Sequence, residues 1–175
     1  MKQLPNLLSA ARLALAPYFF VLLWRRDYAL ALAICILAGI TDGLDGLLAR
    51  KLGAHSRLGA YLDPIADKVL LSGAFLTLAL DGAIETWLAV VVLGRDALIL
   101  LAAGAFALVK STRDFPPSFW GKASTAAQIV YILAVISHLA GLADLHLVTP
   151  LKWLVAALAV WSALDYARRM LSPKP

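Results

Sequence analysis

The chain has 175 residues, 62% of them hydrophobic, with a mean hydropathy of +0.81 and a formal net charge of +5. Soluble globular domains are about half apolar, so an ordinary soluble enzyme is excluded, and a single membrane domain over residues 1–175 is expected. The one cysteine, Cys35, excludes a disulfide framework and a thiolate metal site.

A helix of about 20 mostly apolar residues can cross a bilayer. Hydropathy divides the chain into six such stretches, roughly 8–24, 29–51, 58–80, 84–109, 120–141 and 149–169. The expected fold is all-α, a polytopic membrane protein with six transmembrane helices. Basic residues gather at the stretch ends, which suits an anionic membrane surface and not nucleic acid.

The first stretch follows Lys2 and contains Arg12. That arginine interrupts the apolar run, and hydrophobic sequence continues to Trp24, so a cleaved signal peptide is not expected. Arg50, Lys51 and Arg57 flank the second connection, Lys110, Arg113 and Lys122 the fourth, and Arg168, Arg169 and Lys174 close the chain. The third connection has Asp81 and Glu85 without Lys or Arg. The positive-inside rule then puts both termini and the even connections in the cytoplasm. Arg25 and Arg26, in the first connection, break the pattern. Trp24, Trp87, Trp120 and Trp153 fall near stretch ends, as interfacial or packing aromatics do.

Stretches two and three carry the chemistry. Asp42 and Asp45 are spaced i, i+3, and Asp63 and Asp67 i, i+4, so each pair shares a helix face. With stretches two and three as antiparallel neighbours, all four carboxylates meet at similar depth near the cytoplasmic side. An uncompensated aspartate at a bilayer centre costs about 2.5–3.5 kcal/mol. Two divalent cations would neutralise the four, and an all-oxygen donor set selects Mg²⁺ or Mn²⁺ over Zn²⁺.

The surrounding residues each admit two readings. Gly39, Gly43 and Gly46 lie close to one face near Asp42. Small residues four apart allow close helix packing, the reading for Gly39; bare backbone also lets a nucleotide lie against the helix, the reading for Gly43 and Gly46. Arg50 is a positive-inside anchor or a bidentate phosphate clamp. Ser56 is a helix cap, a ligand contact or both, with Gly59 in or near the same turn.

In stretch four, Arg95 sits near the middle and needs a partner. Adjacent side chains do not face each other on a helix, so Asp96 is not expected to supply it. An ion pair with another helix is one reading; a clamp for an acceptor phosphate, shared with Lys122, is the other. By the same geometry Lys68 points away from Asp67 and is structural. Cys35 is a small packing residue, and His55, His138 and His146 are scattered polar residues.

The run Asp42-x2-Asp45-Gly46-x2-Ala49-Arg50-x8-Gly59-x3-Asp63-x3-Asp67 resembles the signature of the CDP-alcohol phosphatidyltransferases at every fixed position. The resemblance covers nearly the whole chain. It implies that Asp42, Asp45, Asp63 and Asp67 bind two Mg²⁺ or Mn²⁺ ions and that Asp67 is the general base. It also implies that Gly46, Arg50 and Ser56 contact a CDP-lipid, with Gly43, Ala49 and Gly59 close to the nucleotide, and that the chain forms a homodimer. Asn6 caps the first helix or contacts the lipid diphosphate.

Three segments look like those of phosphatidylglycerophosphate synthases and eukaryotic-type cardiolipin synthases. They are Leu4 to Arg12, Leu62 to Lys68, and Gly121-Lys122-Ala123-Ser124-Thr125-Ala126-Ala127-Gln128. Glycerophosphate-using members more often show Arg-Glu where this chain has Arg95-Asp96, a pair more like the cardiolipin synthase type. The implied reaction takes CDP-diacylglycerol and releases CMP at the cytoplasmic face of a bacterial inner membrane. Glycerol 3-phosphate is the expected acceptor and phosphatidylglycerol the alternative. A divalent-cation or proton transporter is the rival from another class. Against it, the aspartates cluster toward one face and no inverted repeat appears.

Overall fold

The computed structural model describes the backbone of residues 4–52, 59–108 and 118–171, and the side chains of residues 11–41, 68–101 and 118–169. The described residues form six helices: α1 Leu4–Trp24, α2 Tyr28–Leu52, α3 Gly59–Leu80, α4 Thr86–Leu108, α5 Phe119–Leu139 and α6 Leu145–Leu171. Among the described residues there is no strand, and the all-α expectation holds. Two helices, over Phe119–Leu139 and Leu145–Arg169, are long and apolar enough to cross a membrane; shorter apolar helical segments cover Ala11–Trp24, Tyr28–Thr41 and Lys68–Leu80.

Short turns join α1 to α2, α3 to α4 and α5 to α6, and each begins with the same device. Arg26 N–H donates to the Leu23 carbonyl and Asp27 N–H to that of Leu22. Gly82 and Ala83 repeat this on Ala79 and Leu78, and Gly141 and Leu142 on His138 and Ser137. These paired bonds satisfy carbonyls that a helix end would otherwise leave bare, and they require a left-handed residue. Gly82 and Gly141, both at φ 75°, supply it without strain, whereas Arg26 adopts φ 60° despite its Cβ.

Arg26 is held there by its side chain. Its Nη2 donates to Asp81 Oδ1 at 2.9 Å and its Nε at 3.2 Å, while the Tyr28 hydroxyl donates to Asp81 Oδ2 at 3.1 Å. Lys152 of α6 pairs with Glu85, and the Trp87 and Trp153 rings lie 5.5 Å apart. These contacts gather the three turns at one end of the bundle. They also explain one of the two arginines that break the charge pattern, because Arg26 is there to meet Asp81. The pairing keeps Asp81 below the ordinary carboxylate range, through the Arg26 hydrogen bonds first; the Lys152 bond does the same for Glu85.

The core draws on all six helices, with Ala31 and Leu32 as the share of α2. Phe19, Phe75, Leu88, Tyr131, Ile136 and Val155 are almost wholly buried, and the Phe75 and Tyr131 rings stack at 5.9 Å. Gly73 lets α1 and α3 approach closely, since a Cβ there would come within 2.2 Å of the Phe20 ring. The outer surface is apolar as well: Val90, Leu98, Leu101, Trp153 and Leu164 are among many large hydrophobic side chains left exposed.

Candidate active site

Two helices carry the fixed positions of the signature. Asp42, Gly43, Asp45, Gly46, Ala49 and Arg50 lie on α2, while Gly59, Asp63 and Asp67 lie on α3. Asn6 lies in the first turn of α1. The side chains of these residues, and Ser56 altogether, lie outside the described residues.

Backbone rise fixes the depth of two of these positions. Asp42 is 14 residues beyond Tyr28, where α2 leaves the turn end, and Asp67 is 13 residues before Leu80, where α3 reaches it. At about 1.5 Å per residue, both lie roughly 20 Å along the bundle from that end.

Among the described residues α2 and α3 are not direct neighbours: α2 packs on α1 and α5, and α3 packs on α1, α4 and α5. Between α2 and α3 lies a cavity of about 160 Å³, walled by Cys35, Ala38 and Gly39 on one side and by Lys68, Leu71 and Ala74 on the other. Arg12 of α1, Asp96 of α4 and Thr125 of α5 complete its polar lining. Direct contact between α2 and α3 was the expectation, and the described segments instead flank this space. Among the described residues a methyl at Gly39 would meet nothing within 4 Å, and the glycine lines the cavity there.

A buried charge cluster stands against the cavity. Asp96 Oδ1 accepts from Arg95 Nη1 at 2.6 Å and pairs with Lys68 Nζ at 2.6 Å. Arg95 Nη2 also donates to Ser162 Oγ at 2.8 Å and lies 3.5 Å from the Gly121 carbonyl. Helices α3, α4, α5 and α6 are thus tied at one point. The side chains of Arg95 and Asp96 are only 5% and 6% exposed, so these charges depend on one another.

This corrects two expectations. Arg95 and Asp96 do meet, because the rule that adjacent residues diverge concerns Cβ directions, and a long arginine side chain can curl back. Asp96 also supplies the interhelical link, through Lys68. As for the acceptor pair, Arg95 reaches the carbonyl of the residue before Lys122, while Lys122 itself is exposed in the first turn of α5. Ser118 caps that turn, its Oγ accepting from Gly121 N–H at 2.9 Å.

Arg12, Ser162 and the bridging role of Asp96 escaped the sequence reading. Arg12 is 4% exposed and contributes to the cavity wall. An arginine inside an apolar run was a usable signal for it, whereas nothing marks Ser162 among the apolar residues of α6. The cavity wall therefore carries Arg12, Lys68 and Asp96, with Arg95 behind them.

For a metal, the donor chemistry fits. The only aspartates in the stretch from 28 to 80 are the four of the signature, all hard oxygen donors. They sit on the two helices that flank the cavity. Among the described side chains no other group of three His, Cys, Asp or Glu could hold an ion.

Comparison with known proteins places the chain in a family. The family model for CDP-alcohol phosphatidyltransferase matches residues 2–164. A rat protein named cardiolipin synthase (CMP-forming) is 34% identical over 150 residues, covering 77% of this chain and 50% of its own length. A Streptomyces coelicolor protein of the same name is 36% identical over 131 residues, covering 70% of this chain and 59% of its own. A Mycobacterium tuberculosis protein named "Probable phosphatidylglycerophosphate synthase" is 34% identical over 176 residues, covering 96% and 81%. The chain thus spans about half the length of the first of these relatives and most of the last. By the family match across nearly its whole length, the chain belongs to the CDP-alcohol phosphatidyltransferase family.

Proposed function

We propose that the chain is a CDP-diacylglycerol-dependent phosphatidyltransferase, with glycerol 3-phosphate as acceptor, and therefore a phosphatidylglycerophosphate synthase. One observation carries the reading: the fixed positions of the signature lie on α2 and α3, the two helices that flank the cavity, in a chain of this family. The near-full-length match to the mycobacterial protein supports the acceptor.

In this reading six helices span the bilayer of a bacterial inner membrane, with both termini and the signature end in the cytoplasm. The apolar outer surface supports embedding, since exposed apolar faces of this extent are rare on soluble monomers. Arg26 and Lys152 support the orientation, because each has a carboxylate partner that accounts for its presence at the opposite end. A homodimer is the proposed assembly.

Asp42, Asp45, Asp63 and Asp67 would hold two Mg²⁺ or Mn²⁺ ions. Such ions, when bound, polarise phosphate oxygens and stabilise the leaving group. Gly43, Gly46 and Ala49 leave room for the cytidine on α2, with Gly59 beside it. Asn6, Arg50 and Ser56 hold the diphosphate. Asp67 takes the proton of the acceptor hydroxyl, whose oxygen bonds to the phosphorus next to the lipid as the bond from that phosphorus to CMP breaks. Lys122, exposed at the rim, receives the acceptor phosphate; Arg95 serves it by holding the first turn of α5 in place.

A second reading has a specific observation behind it. Arg95 is engaged by Asp96 and Ser162, which weakens its use as a phosphate clamp. The cavity beside it is mostly apolar, lined by Leu70, Leu71, Ile129 and Ile132. A lipid acceptor such as phosphatidylglycerol suits that wall, and the product would then be cardiolipin. Purified protein given CDP-diacylglycerol, Mg²⁺ and each acceptor in turn separates the readings. CMP release with glycerol 3-phosphate supports the first and release with phosphatidylglycerol the second. Release with neither would defeat both.

A further inference from the structure

Lys68 poses a problem for the proposed site. It directly follows Asp67, and its side chain lines the cavity between α3 and α2. Across that cavity stands Gly39, and Asp42 follows Gly39 by one helical turn on the same face of α2. A lysine in this position has a flexible stem and a compact charge that can turn toward any nearby carboxylate. An ammonium on a metal-binding carboxylate competes with the metal for the same oxygens.

The structure shows where that charge goes instead. Lys68 Nζ lies 2.6 Å from Asp96 Oδ1, on α4, a helix that carries none of the signature aspartates. The lysine side chain is 34% exposed and so has room to move, whereas Asp96 is 6% exposed and fixed by Arg95. Arg95 has further acceptors in Ser162 and the Gly121 carbonyl, but the only partner described for Lys68 is Asp96.

We propose that Asp96 is a positioning residue which holds the Lys68 ammonium out of the metal site, keeping the signature aspartates open to divalent cations. This rests on the reading of Asp42, Asp45, Asp63 and Asp67 as metal ligands. Asp96 touches neither metal nor substrate in this account and acts only through Lys68. The Arg95–Asp96 bond does a separate job, fixing the carboxylate so that it can hold the lysine.

The test is Mn²⁺ binding to the full chain in detergent, read by the loss of the free-ion paramagnetic resonance signal and needing no turnover. Asp96→Asn should weaken Mn²⁺ binding about tenfold or more, equivalent to about 1.4 kcal/mol. Adding Lys68→Met to that variant should restore binding to within about threefold of the parent, a difference under 1 kcal/mol. Lys68→Met alone keeps the Arg95–Asp96 pair and serves if Asp96→Asn fails to fold. It should bind Mn²⁺ as tightly as the parent, because Asp96 already keeps Lys68 from competing there. Wild-type affinity in Asp96→Asn would overturn the proposal. So would a double variant as weak as the single one, or weakened binding in Lys68→Met, which would make Lys68 a structural peg. If the parent chain binds no Mn²⁺ at all, the metal reading itself fails, an outcome distinct from the others.

Discussion

The two ends of the bundle treat charge in opposite ways. At the turn end, Arg26 meets Asp81 and Lys152 meets Glu85, so each of these two cations has one carboxylate and the job is to close a turn. Toward the signature end, Asp96 is shared by Lys68 and Arg95, Arg12 stands in the same cavity wall, and four further aspartates lie within two helical turns along α2 and α3. A folded helix bundle needs the first arrangement for its loops. The second exceeds what folding requires, and unbalanced charge held out of water is a common mark of a site that binds something charged.

Breaking the signature end should have the largest effect. Asp67→Asn should lower CMP release by about a thousandfold, within the range that general-base catalysis contributes. Binding of CDP-diacylglycerol, measured by equilibrium dialysis, should stay within a few-fold of the parent. Normal turnover in this variant would remove Asp67 from its role as base.

Next comes the cluster that joins four helices. Arg95→Ala leaves Asp96 with Lys68 alone and removes the bonds to Ser162 and α5. Losing one partner of a buried pair costs about 3–5 kcal/mol, to be read by denaturant unfolding in micelles. A loss of activity with unchanged stability would instead favour direct contact between Arg95 and the acceptor. Gly73→Val should cost less, about 1–3 kcal/mol, because the Phe20 ring must move aside.

The turn end should respond least. Asp81→Asn removes an exposed pair and should shift the melting temperature only slightly, with turnover unchanged. Its pH dependence has a definite sign. Arg26 lowers the folded-state value of Asp81 below its ordinary 3.8, so the pair's contribution is complete above pH 3.8 and is lost as the pH falls through the lowered value. Thermal melts of the parent and Asp81→Asn should therefore differ at pH 7 and converge in stronger acid. A difference that grew on acidification would contradict the pairing.

The sequence reveals more of the helices and donor chemistry than of the contacts between helices. Apolar run lengths foretell six helices with ends displaced by only a few residues, because burial of apolar stretches dominates in such a chain. The signature is legible because its spacing reflects helix periodicity, which needs no tertiary knowledge. The cavity between α2 and α3 is not legible, since its width depends on how α1 and α5 hold those helices apart. Lys68–Asp96 and Arg26–Asp81 join residues far apart in sequence, and no local pattern encodes them. Arg95–Asp96 was hidden for a different reason: helix-face rules follow Cβ positions, and arginine reaches well beyond its own face.

The most direct test of the central claim is CMP release from CDP-diacylglycerol by the purified chain, with glycerol 3-phosphate and phosphatidylglycerol both present, before and after chelation of divalent cations. The account predicts release in Mg²⁺ or Mn²⁺, abolition by chelator and recovery when the ion is returned. Release that is indifferent to chelation, or absent under every condition, would contradict it.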